Sequence, residues 1–143
     1  LYLYCMEVKH LRAGNILNAV VSNGKETLNF YEIEVFEILA DGIREVKGIK
    51  FPYENLIGTP LTEEWLLKFG FTNDDNESWF WSFDFNEKQE TFKLFQLTAG
   101  GNPFGLWGIV GCSQLIKKIE YVHQLQNLFF ALTGEELTLK RQS

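Results

Sequence analysis

Two histidines, His10 and His123, and two cysteines, Cys5 and Cys112, are the only side chains of their kinds in the 143-residue sequence. A thiol and an imidazole within reach of one another would supply a nucleophile and its base, so Cys112 and His123 are the pair to consider. Cys112 closes a glycine-rich apolar run and reads more simply as a small buried residue. His123 stands where a strand gives way to a helix, a place where its ring can orient the turn. All four side chains together would suit zinc, but their separations match no compact site. Asp74 and Asp75, in Thr72-Asn-Asp-Asp-Asn-Glu-Ser78, offer oxygen ligands without the ordered spacing or central glycine of a calcium loop. That segment reads as a solvated loop, with the two aspartates as weak polar candidates. Gly100-Gly101 lacks the glycine spacing and the Lys-Ser/Thr pair of a phosphate loop. No catalytic residue, metal or cofactor is therefore expected.

A different chemistry is offered by Trp79-Phe-Trp-Ser-Phe-Asp-Phe85. Strand alternation places Trp79, Trp81, Phe83 and Phe85 on one face. Trp79, Trp81 and Phe83 are the candidate interaction surface, as a stacking platform or a protein-binding row. The competing reading is a core face packed against helices. Basic residues do not accompany the row, and the formal net charge is -6, so a nucleic-acid groove is not expected. The expected partner is another protein or a second copy of the chain. Leu1-Tyr-Leu-Tyr-Cys-Met6 is too short for a membrane span and has no basic leader. No membrane association is expected, and two thiols without a disulfide framework point to the cytoplasm.

The elements that must position these residues are short strands and two helices. From residue 7 to 58, alternating runs are punctuated by Ser22-Asn-Gly24 and Asp41-Gly42. In Tyr31-Glu-Ile-Glu-Val-Phe-Glu-Ile38 the apolar phase slips by one at Phe36, which suggests a bulge or a strand whose two faces are both partly covered. Four or five short strands in this span suggest a small curved sheet or a partly open, SH3-like small barrel. Thr62 is a good N-cap, Glu63 and Glu64 suit the first turn, and Gly70 suits the stop, which predicts a helix over 62–69. Leu125, Leu128, Phe129 and Leu132 recur at helical spacing before Gly134 and predict a helix over 122–133. The segment after it, 135–139, reads as a final edge strand. The fold class expected is α+β with antiparallel strands: a β-rich unit over 1–58 and an α+β unit over 59–143, sharing one core.

Three segments, in order, resemble one family. Met6-Glu-Val-Lys-His-Leu-Arg-Ala-Gly-Asn15 is similar to its opening, Pro60-Leu-Thr-Glu-Glu-Trp-Leu-Leu-Lys-Phe-Gly-Phe71 to its middle signature, and Tyr121-Val-His-Gln-Leu-Gln-Asn-Leu-Phe-Phe-Ala-Leu-Thr-Gly-Glu-Glu-Leu137 to its ending. The family is one of small uncharacterised proteins common in Bacteroidetes genomes, often in prophages or other mobile elements. The resemblance implies a bacterial or phage cytoplasmic setting and an accessory role, and assigns no site residue. The function expected is a non-enzymatic interaction module. The alternative is a small hydrolase or nucleic-acid-processing accessory built on His123, Cys112 or the 73–77 acids.

Overall fold

The computed structural model describes residues 10–22, 24, 28–73, 80–84, 91–96, 107–111 and 114–139. The chain divides into two units: residues 1–59 with 121–127, and residues 60–120 with 128–143.

The first unit is an antiparallel sheet of five strands: β1 (Ile16–Ser22), β2 (Leu28–Ile38), β3 (Gly42–Glu45), β4 (Lys50–Pro52) and β5 (Leu56–Gly58). Their order across the sheet is β4-β3-β2-β1-β5. β2 is long enough to serve two neighbours in succession. Its first part pairs with β1, from Ser22 opposite Leu28 to Ile16 opposite Glu34, and its last part pairs with β3, Val35 opposite Glu45 and Ile38 opposite Ile43. The bulge expected near Phe36 is present, between Val35 and Glu37. It turns Glu37 toward Arg44, with which it forms an ion pair. The core is drawn from alternate strand positions: Leu17 and Ala19 of β1, Ile33 and Val35 of β2, Ile43 of β3 and Leu56 of β5, with Leu11 beside them.

This sheet is open, so the SH3-like barrel is corrected. The two edge strands, β4 and β5, pair only with β3 and β1. Closure requires the first and last strands to meet with a matching stagger. Here each edge strand has three residues, Pro52 has no amide to donate, and the Tyr53–Asn55 turn of 3-10 helix lies between them.

The second unit contains α1 (Glu63–Phe69) and a four-stranded meander, β6 (Phe80–Asp84), β7 (Thr91–Gln96), β8 (Trp107–Gly111) and β9 (Gln114–Ile119), in that order. α1 is fixed at both ends by its own sequence. Thr62 Oγ1 accepts the Trp65 amide at 3.4 Å. At the other end Gly70 is left-handed, at φ 97°, and the Phe71 amide returns to the Leu66 carbonyl at 2.9 Å. Phe71 thereby enters an aromatic core, stacked on Phe83 at 5.3 Å and edge-on to Phe92 at 6.2 Å. Phe129 meets Phe83 and Phe92 edge-on at 5.7 and 5.3 Å.

α2 (Val122–Thr133) contributes its first half to the first unit and its second half to the other. Gln124 Oε1 accepts the Tyr121 amide at 3.1 Å, one arm of a capping box. Its buried arc is Val122, Leu125, Gln126 and Phe129, while Leu132 is 61% exposed. The expected stripe is thus rotated: Leu128 is half-buried and Leu132 faces solvent. Residues 136–139 form no strand, although Leu137 is buried. Among the described residues no helix is long and apolar enough to cross a membrane.

Candidate functional site

α2 begins one residue after Tyr121, which sets His123 in its first turn and stacks the imidazole on the Tyr121 ring at 5.8 Å and 15°. Gly58 packs against the same two rings. A Cβ there would lie 2.6 Å from the Tyr121 ring and 3.2 Å from His123 Cε1. His123 is buried, and its Nδ1 has no hydrogen-bond partner among the described residues. Burial lowers its pKa from 6.5 to about 4, with a further push from the nearby His10. An imidazole in that state is neutral at pH 7 and a poor proton acceptor, so the site favours packing over base catalysis.

One turn further on, two amides do work that sequence reasoning missed. Gln126 Oε1 accepts the Ile16 amide at 2.8 Å, and its Nε2 donates to the Gly14 carbonyl at 2.9 Å. Asn127 Oδ1 accepts Asn15 Nδ2 at 2.8 Å and Arg12 Nε at 3.0 Å, while its Nδ2 donates to the His10 carbonyl at 2.6 Å. The cluster satisfies itself, as buried polar groups must, and leaves these amides committed to the fold. The signal was present: Gln126 is a polar residue inside the arc formed by Val122, Leu125 and Phe129.

Of the other candidates, Trp81 and Phe83 are among the described residues and belong to the second unit. Trp81 is 5% exposed, opposite Leu94 in the β6–β7 ladder. Phe83 is half-buried and engaged with Phe71 and Phe129. Trp79, Cys112, Asp74 and Asp75 lie outside the described residues. Among the described residues no three histidine, cysteine or acidic side chains are grouped to hold a metal.

Exposed apolar side chains occur in both units, with Leu67, Phe130, Leu132 and Leu139 in the second and a larger group in the first. Phe30, Tyr31 and Phe36 of β2 are 57%, 51% and 65% exposed, with Ile38 beyond them. The turn after β3 adds Val46 and Ile49. Its shape is set by Gly48, at φ 95°, and by the buried Glu45, whose Oε1 accepts the Ile49 amide at 3.0 Å. The Val46 amide donates to the Glu34 carbonyl at 3.1 Å, which brings the turn alongside β2. Six large apolar groups on one strand and its adjoining turn are more than folding of that sheet requires.

Comparisons with protein-family models, with curated proteins and with solved structures found no match.

Proposed function

We propose that this chain is a non-enzymatic protein-interaction module, acting as an accessory factor in a bacterial or phage cytoplasm. The observation that carries the reading is the exposure of Phe30, Tyr31, Phe36 and Ile38 on β2 together with Val46 and Ile49 on the adjoining turn. Solvent-facing aromatic and branched groups gain most by being covered, and aromatic anchors dominate protein interfaces. The polar groups of the same unit support it from the other side. Gln126, Asn127 and Asn15 are used up in internal hydrogen bonds, and His123 is buried in its neutral form.

The test compares the wild-type chain with a Phe36→Ser, Ile49→Ser double variant in affinity capture from the native host, read by mass spectrometry. Both side chains are more than half exposed, so the melting temperature should stay within a few degrees of wild type. A partner captured by the wild type and lost by the variant supports the reading. The same partners captured equally by both would overturn it.

A further inference from the structure

The backbone of β2 says how such a partner would be held. The Val35 amide donates to the Asn15 carbonyl, and the Val35 carbonyl accepts the Gly14 amide, so the peptide groups of Val35 face the β1 side. The Glu34 carbonyl accepts the Val46 amide, so Glu34 faces the β3 side. Peptide groups alternate along a strand, and β2 runs opposite β1 without a register shift from Leu28 to Glu34. The amides and carbonyls of Phe30 and Glu32 therefore point away from β1. β3 does not reach them, because its pairing with β2 begins at Val35. No hydrogen bond to either residue from another described residue fills that side. Among the described residues it is an open strand edge, in line with β3 and beyond the turn at Val46. The sheet's other two edges are less suited: β4 and β5 have three residues each, and β4 ends on Pro52.

The side chains flanking this edge differ by face. Phe30, Glu32 and Glu34 lie on one face and Tyr31 on the other. Glu32 and Glu34 make no ion pair with a described residue, and β2 contains no Lys, Arg or His. A second copy pairing edge to edge would set the Glu32 and Glu34 carboxylates of both chains on one face, where like charges oppose pairing. A strand with alternate basic and aliphatic residues meets the opposite situation. Its basic residues would face Glu32 and Glu34, with Phe30 available as a cation–π surface, and its aliphatic residues would cover Tyr31.

We infer that the open edge of β2 at Phe30 and Glu32 receives an extended segment of a partner protein with alternating basic and aliphatic residues, added as a sixth strand. This rests on the interaction-module reading and gives it a mode and a partner chemistry. Strand addition takes its affinity from main-chain hydrogen bonds and its selectivity from alternate side chains.

The experiment titrates the full chain with a fluorescent Lys-Val-Lys-Val-Lys-Val peptide and with two N-methylated forms. One form blocks the lysine amides and the other the valine amides, so charge and composition are unchanged. The expected result is saturable binding, weakened at least about tenfold by one methylation pattern and little by the other, because only one set of amides faces the edge. Glu32→Lys should weaken the lysine peptide and admit a Glu-Val-Glu-Val-Glu-Val peptide. On binding, the Phe30 and Glu32 amides should become slow to exchange with solvent. Absence of saturable binding, or equal binding by both methylated forms, would overturn the inference. So would a concentration-dependent dimer of the free chain that Glu32→Lys and Phe30→Ser abolish, which would assign the edge to a second copy. Partner capture lost by the Phe36→Ser, Ile49→Ser variant without any peptide binding would sink strand addition alone, leaving the interaction module in place.

Discussion

His123 illustrates how far a side chain's surroundings, rather than its type, decide what it does. Its folded pKa of about 4 lies below the ordinary 6.5. Between these values the unfolded chain binds a proton that the folded chain refuses. The contribution of neutral His123 is therefore fully present above pH 6.5 and is lost as pH falls through 4, by roughly 3 kcal/mol. Urea unfolding at pH 7 and pH 4 should show this loss in wild type and its absence in His123→Gln, taken as the difference between the two proteins so that carboxylate titrations cancel. Gly58 is the matching steric case. Its missing Cβ is what lets the Tyr121 and His123 rings approach, and Gly58→Ala should cost about 1–3 kcal/mol through overpacking, read from the urea midpoint. The sequence marks His123 as a turn residue but carries no sign of Gly58 as its partner. That contact joins positions more than sixty residues apart, and local patterns say nothing about such distances.

At the level of elements, the legible parts are those whose determinants are local. The cap at Thr62, the stop at Gly70 and the slip of phase at Phe36 each depend on neighbours within a few positions, and each has its counterpart in α1 or in the β2 bulge. The sheet's openness depends on whether β4 and β5 meet, which no local pattern encodes, and the barrel expected from strand spacing is absent for that reason. α2 shows an intermediate case. Helical spacing identifies the helix but leaves its rotation ambiguous, since Val122, Leu125 and Phe129 form as good an arc as Leu125, Leu128 and Leu132. The two rotations make opposite predictions. Phe129, fully buried among Phe83 and Phe92, should cost about 3–5 kcal/mol on replacement by Ala. Leu132→Ala should stay within about 0.5 kcal/mol of wild type, as solvent-facing substitutions do. Chemical denaturation of the two variants side by side checks both, and equal losses would contradict the observed rotation.

For the molecule as a whole, the candidate surface was the least legible feature. The aromatic row stands out by its alternation, yet Trp81 is buried, and the exposed groups of β2 look in sequence like any alternating strand. Which face of a strand is covered is a tertiary fact. A long-range constraint within the first unit is the pairing of Gln126 with the backbone at Ile16 and Gly14, across 110 and 112 positions. Gln126→Ala leaves that buried amide and carbonyl without partners and should cost about 2 kcal/mol or more, measurable by thermal or urea unfolding. A fragment of residues 1–59 should show no cooperative transition, for it lacks the segment 121–127 that belongs to its unit. Synthesis on the ribosome then acquires an unusual order. The five strands of the first unit emerge early, but the helical turn carrying Gln126 and Asn127 follows only after the β6–β9 meander has been made. The early strands must wait, without the partners of Ile16 and Gly14, until residue 127 is available. A nascent chain paused before that point is when the protein is most exposed to wrong partners.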